Sequence, residues 1–370
     1  MTSKKILVVS ASFYPELSPR SFRTTELVKE LARQGHQVTL YTLKNAALHE
    51  TMAKELNITI KDLGKLHYPR INVNHSNKLI SLIKRVLSRS LLMLFEYPDV
   101  ELMFKVKRSL AGEKGYDLLV SVAVPFPVHW GVAGALSKNK LLANTWVADC
   151  GDPYMGNKAD SFKKLFYFSF IEKWFCRKAD FITVPTEGSK EGYYKEFHSK
   201  LRVIPQGFNF SDVNLYQGVI KNEVPTFAYA GSFEPGIRDP RELLDFLMSY
   251  KNGYKFIIYT NNKALVKPYV SIAGNKIELR DYIPRKELLY ELSKMDFLVN
   301  FNYGSNVQSP SKLIDYTLTA RPILSINPGK IDTLMVSDFL NKNYSGKIVI
   351  SDFEQYDIKN IAEKFVQLCN

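Results

Sequence analysis

The chain has 370 residues, 45% of them hydrophobic, and a formal net charge of +13, so it can bury the cores of two ordinary domains and is not globally disordered. A basic balance of this size suits nucleic acid, an anionic membrane surface or phosphorylated ligands, but no zinc-finger, RNP or basic-zipper pattern is present and nucleic acid is not expected as a partner. No apolar run is long enough for a transmembrane helix, and the three widely spaced cysteines favour a reducing cytoplasm over a disulfide framework or a zinc site.

The first predicted elements form a βαβ unit. Residues 5–10 are a short apolar run, residues 22–34 carry apolar side chains at helical spacing, and residues 37–43 form a second apolar run. This order predicts two parallel strands joined by a helix. Because the chain enters its first strand directly, without the apolar region of a signal peptide, we expect a cytoplasmic protein.

The next segment interrupts the alternation of strand and helix. Residues 76–110 mix Leu, Ile, Met and Phe with several lysines and arginines, which predicts two basic amphipathic helices joined near Pro98. Such helices can lie on anionic lipid; equally, they can turn their apolar faces to the core and leave the basic faces in water. A second basic stretch that is rich in aromatic residues, 162–178, adds to the membrane interpretation.

Further strands and helices follow in alternation. Apolar runs bounded by helical patterns or loops predict strands at residues 117–122, 144–148, 181–184, 201–204, 226–230, 255–259 and 296–300.

The alternation pauses once, which indicates a domain boundary. We predict an α/β chain with two doubly wound Rossmann-like domains that face each other across a cleft. The first domain is residues 1–208, a linker covers 209–224, and the second domain is residues 225–370. The last helix can pack back on the first domain.

One segment near the end of the second domain predicts an anion site. The sequence SPSKLIDYTLTARPILSI, residues 309–326, reads as a loop, a helix and a buried strand. It places Lys312 at the mouth of the helix, where unpaired N–H groups carry partial positive charge. A lysine there is unfavourable unless an anion such as a phosphate offsets it. The alternative is an ordinary αβ unit with a surface lysine.

Motifs along the chain resemble those of one enzyme family. They are ILVVSASFYPELSPRSFRTTELVKELARQGHQVTLYT, WVADCGDPY, KADFITVPTEGSKEGY with LRVIPQGF, FAYAGSF, and SPSKLIDYTLTARPIL. Over nearly the whole chain they resemble GT-B-fold glycosyltransferases of the "group one" type, family four. The resemblance implies transfer of a sugar from a nucleotide-diphosphate donor on the second domain to an acceptor hydroxyl on the first. It implies no metal and no further cofactor.

Two cations are predicted to stabilise the leaving diphosphate. Without a metal, protein cations and helix N-termini must offset the developing negative charge. Lys312 is the first candidate and Arg238, in the loop after Gly231, is the second. Gly231 would let the backbone approach the ligand closely. A surface-loop role for Arg238 stays open.

The remaining donor contacts come from the resemblance. Asp315 is expected near the donor ribose, although a helix-surface role stays open. Tyr282 and Ile283 follow a strand-like segment and are expected to line the base pocket through backbone groups. The family's first acidic residue is replaced here by Val307, which leaves the sugar contacts or the retaining outcome open. The predicted donor-binding residues are Gly231, Ser232, Arg238, Tyr282, Ile283, Ser311, Lys312 and Asp315.

The first domain offers candidate catalytic and acceptor-binding side chains. His129 follows a strand and could bond a sugar hydroxyl or exchange a proton, or it could serve packing alone. Asp149 ends a strand, where carboxylates of α/β enzymes often act. Arg20 could reach a diphosphate or an acidic acceptor, or could be a solvated loop residue. The predicted catalytic residues are His129, Asp149, Lys312 and Arg238, and the predicted acceptor or cleft residues are Ser18, Arg20, Arg23, His129 and Asp152.

These expectations combine into one function with two alternatives. We expect a metal-independent, retaining glycosyltransferase that uses a UDP-sugar in preference to other donors. Its acceptor would be a lipid-linked or oligosaccharide glycan of a surface polysaccharide such as capsule or O-antigen, and the enzyme would bind peripherally to the inner face of the cell membrane. The alternatives are a GT-B-fold UDP-sugar epimerase and a catalytically inactive scaffold that binds a nucleotide sugar.

Overall fold

The computed structural model describes residues 2–16, 18–74, 76–139, 141–157, 163–302 and 311–369. These residues fall into two compact units. The first unit runs to Phe208 and takes up the chain again from Gln355, and the second contains the described residues between Asn209 and Glu354.

The elements alternate between strand and helix along the chain. The strands are β1 (Lys5–Ser10), β2 (Gln37–Thr42), β3 (Thr59–Asp62), β4 (Tyr116–Ala123), β5 (Ala143–Cys150), β6 (Phe181–Val184), β7 (Leu201–Val203), β8 (Thr226–Ala230), β9 (Lys255–Tyr259), β10 (Ile277–Arg280), β11 (Phe297–Phe301) and β12 (Ile323–Ile326). The helices are α1 (Pro19–Arg33), α2 (Ala46–Leu56), α3 (Lys78–Phe95), α4 (Glu101–Ser109), α5 (Pro127–Leu136), α6 (Phe168–Lys178), α7 (Arg241–Ser249), α8 (Lys267–Ala273), α9 (Arg285–Leu292), α10 (Ser311–Leu318), α11 (Thr333–Leu340) and α12 (Ile358–Gln367).

Each unit is built on one parallel sheet. The first sheet has seven strands in the order β3-β2-β1-β4-β5-β6-β7, and the second has five in the order β10-β9-β8-β11-β12. Central strands such as β1 and β4 are buried almost end to end, as expected where helices cover both faces. The prediction of an α/β chain with two Rossmann-like domains is therefore confirmed. The short strand β3 was not predicted, whereas β10 is the strand-like segment predicted before Tyr282.

Helix α1 begins three residues before its predicted start because Ser18 caps it. The Ser18 hydroxyl accepts a hydrogen bond from the backbone N–H of Ser21 at 3.1 Å, and Pro19 occupies the first turn. Leu27 and Leu31 bury one face of the helix against the sheet. The cap fixes the start of α1, and with it Arg20 in the first helical turn, after the carboxyl end of β1.

The carboxyl-terminal helix α12 completes the core of the first unit. Ile358, Ile361 and Phe365 are buried in the same hydrophobic cluster as Leu27 and Val28 of α1. The backbone of Phe208 also pairs with the segment that leads into α12. The chain therefore leaves the first unit after Phe208 and returns to it for its last helix.

Helices α3 and α4 differ in how they use their apolar faces. Helix α4 buries Leu102 and Val106 and packs tightly on α5, where a Cβ added to Gly131 would lie 2.6 Å from Val106 Cβ. In α3 only Ser81 is buried. Eight of its large apolar side chains are exposed, each by between 38% and 65%. They are Leu79, Ile80, Leu82, Ile83, Val86, Leu87, Leu94 and Phe95. Helix α4 therefore turns its apolar face to the core, which is one of the two orientations considered from the sequence, whereas α3 turns its apolar face outward.

The aromatic residues of the second basic stretch divide between core and surface. Phe168 and Phe175 are buried, whereas Phe166 and Phe170 are 77% and 67% exposed. Phe162 lies outside the described residues. No helix in the described ranges is long and apolar enough to cross a bilayer.

Stacked aromatic rings form the centre of the second unit. The ring of Phe227 on β8 lies 4.6 Å from that of Phe256 on β9 and 4.5 Å from that of Phe297 on β11, centroid to centroid. Cross-strand aromatic pairs stabilise a sheet. They hold β8, β9 and β11 in register near the amino ends of these strands, whereas the candidate donor site lies at the carboxyl ends.

Candidate active site

The start of α10 meets the end of β8 in the second unit. The Tyr316 hydroxyl, fully buried, accepts a hydrogen bond from the Ala230 backbone N–H at 2.8 Å. This contact fixes α10 against the last residue of β8. Because Lys312 precedes Tyr316 by about one helical turn, its side chain is brought to the loop that follows β8.

Lys312 lies over the ring of Tyr229 and not in open solvent. Its Nζ donates a hydrogen bond to the Tyr229 hydroxyl at 2.9 Å and lies 4.4 Å from the ring centroid. Burial, with the positive charge of Arg238, lowers the pKa of Lys312 to about 8. An anion bound beside the ammonium would raise that pKa again, since opposite charge favours the charged form.

Gly231 makes room for the lysine. Its φ is +148°, and a Cβ added there would lie 1.8 Å from Lys312 Nζ. The prediction gave Gly231 the task of clearing space for the ligand; the structure shows that it clears space for the cation. Ser232, the next residue, is exposed, and its backbone carbonyl accepts a hydrogen bond from the Tyr229 hydroxyl at 3.0 Å.

Arg238 supplies the second positive charge near Lys312. One guanidinium nitrogen lies 3.2 Å from Glu234 Oε2, whereas the buried Nε has no hydrogen-bond partner. Its charge acts on Lys312 and also on the phenol of Tyr229. Two cations and one buried, unsatisfied donor are groups that can bind an anion.

Asp315 is engaged by an arginine that was not predicted. Arg285, the first residue of α9, donates two hydrogen bonds to Asp315 Oδ1, at 2.9 and 2.6 Å. Burial raises the pKa of Asp315, and Arg285 opposes that rise. The pair is distant in sequence, and no local motif could have identified it. The expected ribose contact would use the other carboxylate oxygen.

The remaining predicted donor residues surround this centre or fall outside the described part. Tyr282 is 52% exposed after β10, and Ile283 packs partly buried against the hydrophobic cluster that contains Tyr316. Ser311 is the first residue of α10. Val307 lies outside the described residues.

His129 in the first unit is buried and neutral. Its Nδ1 lies 2.8 Å from Ser121 Oγ, and its Nε2 lies 3.3 Å from Cys150 Sγ. Burial lowers its pKa to about 3. Both ring nitrogens therefore contact side chains of the core. This arrangement corresponds to the packing role that the sequence analysis left open for His129.

Asp149, near the carboxyl end of β5, forms a buried ion pair with Arg23 of α1. Arg23 donates to both carboxylate oxygens at 2.7 Å, and Thr183 donates a further hydrogen bond at 2.6 Å. Burial alone would raise the pKa of Asp149, but Arg23 and Thr183 hold it below its usual value. Arg23 also donates to the backbone carbonyls of Ile204 and Pro205. A carboxylate so fully bonded anchors elements and is a poor proton acceptor.

Arg20 lies near the same ion pair, and its guanidinium is available to bind a ligand. Its guanidinium lies across Gly151, where an added Cβ would come within 1.2 Å of it. Burial lowers the pKa of Arg20, while Asp149 and Asp152 act in the opposite direction. Within the described ranges no side chain hydrogen-bonds this guanidinium. Arg20 is thus a half-buried cation beside exposed Asp152.

A cavity of about 160 Å³ opens at the carboxyl ends of β4 and β5. Tyr154 donates a hydrogen bond to Glu96 at 3.0 Å, and Lys164 also contacts Glu96 in one wall. The lining residues are Glu96, Val124, Phe126, Asp152, Pro153, Tyr154, Met155, Asn157, Lys163 and Lys164. Aromatic rings, carboxylates, an amide and cations in one recess are groups that bind sugars and their substituents.

Comparison with known proteins identifies the family. The sequence profile described as Glycosyltransferase Family 4 matches residues 22–212, more than half of the chain. The chain belongs to glycosyltransferase family 4. It is therefore a glycosyltransferase, as the motifs predicted. No curated protein matches it in sequence.

Solved structures share the fold of this family 4 chain at low sequence identity. A glycosyltransferase from Rickettsia africae is 11% identical with a TM-score of 0.60, covering 100% of this chain and 98% of its own. HepE from Anabaena, solved with UDP and glucose, is 13% identical with a TM-score of 0.55, covering 99% and 97%. The lipopolysaccharide outer core galactosyltransferase WaaB is 12% identical with a TM-score of 0.57, covering 98% and 95%. These similarities show the GT-B fold.

Proposed function

We propose that this glycosyltransferase moves a sugar from a UDP-sugar to a lipid-linked glycan of a surface polysaccharide such as capsule or O-antigen. The reaction would proceed with retention and without a metal. The observation that carries the proposal is the placement of Lys312, with Arg238 nearby, at the mouth of α10 over Gly231.

The donor site would work by offsetting charge on the leaving group. As the sugar–phosphate bond breaks, negative charge grows on the diphosphate, and a preformed pair of cations with a helix N-terminus stabilises it most where water is scarce. Lys312 is largely buried on Tyr229 and is already in place. UDP is favoured as the nucleotide because HepE, which shares the fold, was solved with UDP.

The state of the first unit supports retention. An inverting reaction needs a strong base beside the acceptor hydroxyl, but Asp149 is fully bonded. Buried His129 is a weak base because its pKa is lowered to about 3 and both ring nitrogens contact core side chains. In a retaining reaction the leaving phosphate can take the acceptor proton. Arg20 and the cavity beside Asp152 would bind the acceptor, with Arg20 suited to an anionic substituent.

Metal independence remains part of the proposal. In the described portion of the chain no group of three or more His, Cys, Asp or Glu side chains could hold a metal ion. The cations named above would take over the charge that a metal otherwise carries.

The outward face of α3 supports attachment to the inner face of the cell membrane. The helix combines exposed Leu, Ile and Val side chains with four basic residues and has no acidic residue. An interfacial helix with this composition binds anionic lipid by apolar burial and charge attraction. A lipid-linked acceptor would be present in the same surface.

The test is donor binding to purified protein without added metal. A thermal-shift screen against UDP, GDP, dTDP and CMP and their sugars should show stabilisation by uridine nucleotides, since ligands of the native state raise the midpoint. Lys312→Ala should remove the shift, and Lys330→Ala, which removes an exposed lysine of the same unit, should keep it. A shift that survives Lys312→Ala would contradict the proposed diphosphate site, and stabilisation by another nucleotide would replace UDP.

A further inference from the structure

A second charged recess lies in the first unit, at the opposite ends of the strands from the cavity beside Asp152. It is a groove of about 370 Å³ between α4 and the end of α5, lined by Phe104, Lys107, Arg108, Ala111, Gly134, Ala135, Lys138 and Asn139. Helix α4 runs into β4 and α5 returns from it, so this groove is near the amino ends of the strands. The candidate active-site residues lie at the carboxyl ends.

The groove concentrates positive charge without a counter-charge. Its described lining contains Lys107, Arg108 and Lys138 and no carboxylate. The neighbouring acids are already committed: Glu101 lies 3.9 Å from Lys105, and Glu113 accepts hydrogen bonds from two tyrosines and contacts Lys61. Among the described residues none of the three groove cations has an acidic partner within salt-bridge distance.

Small residues keep the floor of the groove open and apolar. Gly134, Ala135 and Ala111 present little side chain, and the stem of Lys107 crosses α5 at Gly134, where an added Cβ would lie 3.2 Å from Lys107 Cδ. The long stem is thereby laid against the wall with its ammonium at the groove. A ligand phosphate could approach the cations without displacing a bulky side chain.

Exposed apolar side chains stand beside the charges. Phe104 lines the groove and is 55% exposed, and Leu141, two residues after Asn139, is 76% exposed. Lys107 and Arg108 in the last turn of α4, and Lys138 just beyond the end of α5, also offset the helix dipoles, but that effect requires neither a groove nor exposed apolar neighbours. Charge and apolar surface together fit an anionic amphiphile better than a soluble anion.

We propose that this groove binds the phosphate head group of an anionic membrane lipid. Lys107, Arg108 and Lys138 would contact the phosphate, and Phe104 and Leu141 would enter the acyl region. The inference rests on the proposed membrane attachment and adds to it a specific lipid contact that is separate from α3. Donor binding does not depend on it.

The test uses dihexanoyl phosphatidic acid, a short-chain lipid phosphate, in calorimetric titrations below its micelle concentration. Each cation near a lipid phosphate contributes roughly fivefold in affinity, so Lys107→Ala/Lys138→Ala should weaken binding about twenty-five-fold. The matched control, Lys54→Ala/Lys195→Ala, removes two exposed lysines of the same unit and should bind as the parent does. Sedimentation with phosphatidylcholine vesicles containing phosphatidic acid should rank the proteins in the same order.

Three results would overturn the proposal. The parent protein would fail to bind the lipid, the control would weaken binding as much as the groove variant, or inorganic phosphate would bind as tightly as the lipid phosphate. The last result would identify a soluble-anion site. The stabilisation by UDP-sugars is measured on the same proteins. If the parent protein shows no such stabilisation, the result counts against the transfer reaction and not against the groove.

Discussion

At the scale of single residues, the candidate donor site is organised around one lysine side chain. Lys312 is recognisable from the sequence because a lysine in the first turn of a helix needs an anion. Tyr229, which supports it, is not recognisable, because a tyrosine in the apolar run of β8 reads as core. Arg285 escaped prediction for a different reason: its contact with Asp315 joins two helices that are separated by thirty positions.

Gly231→Ala should weaken donor binding, whereas a matched change at a neighbouring glycine should affect only the stability of the fold. The new Cβ would occupy the position of Lys312 Nζ, so the ammonium must leave Tyr229, and we expect at least tenfold weaker UDP-sugar binding by titration. Gly236→Ala is the matched control, since Gly236 has a φ of +75° in the same loop and nothing within 4 Å of an added Cβ. It should lose only about 1 kcal/mol of stability. Equal effects of the two changes on affinity would contradict the role given to Gly231.

Donor affinity should fall as the pH rises through about 8. The free lysine has a pKa near that value, and a bound diphosphate raises it, so binding takes up a proton above pH 8 and none well below it. Titrations with a UDP-sugar between about pH 7 and 9 would show the fall. Lys312→Arg should bind with little pH dependence, because a guanidinium stays charged; a fall that persists in this variant would assign the effect to another group.

At the scale of elements, composition predicted two amphipathic helices but could not orient them. Helix α4 is held to the core because Gly131 lets α5 approach Val106, a contact between helices that the local pattern of α4 does not contain. Among the described residues helix α3 has no such partner for its exposed apolar side chains, so the same type of pattern faces outward there.

Ile83→Glu should reduce binding to vesicles without harming the fold. Ile83 is 57% exposed on α3, so a charge there removes apolar contact with lipid and adds repulsion from anionic head groups. Burying such a side chain contributes about 2 kcal/mol, which predicts a loss of more than tenfold in sedimentation with anionic vesicles. Leu334→Glu, at a position 79% exposed in the second unit, is the control. Equal loss in both variants would remove α3 as the attachment surface.

At the scale of the whole chain, the alternation of strands and helices was sufficient to predict two Rossmann-like units. The strand runs of the sheet centres were placed within one residue or so, because strands buried on both faces are continuous apolar runs. The short edge strand β3 was missed because its four residues, TIKD, are too few to give a clear period. The cavity lined by Asp152 and Tyr154 could not be predicted, since it combines residues from several loops.

Removing residues 355–370 should destabilise the first unit and spare the second. The truncation exposes the cluster that Ile358, Ile361 and Phe365 complete against α1. Hydrogen exchange should show faster exchange in α1 and β1, with unchanged protection in β8 and β11. As a control, Lys359→Ala changes an exposed residue of α12 and should leave both patterns as they are. Equal loss of protection in both units would show that they unfold together.

The return of α12 to the first unit also bears on the order in which the protein is made. The strands of the first unit are all synthesised before the second unit, yet α12, the helix that covers α1, follows the second unit in the chain. The described residues of the second unit lie between Asn209 and Glu354, so its core can close before α12 is made. Until then the apolar surface of α1 remains uncovered, and a premature stop before Ile358 would damage a unit whose whole sheet was already synthesised.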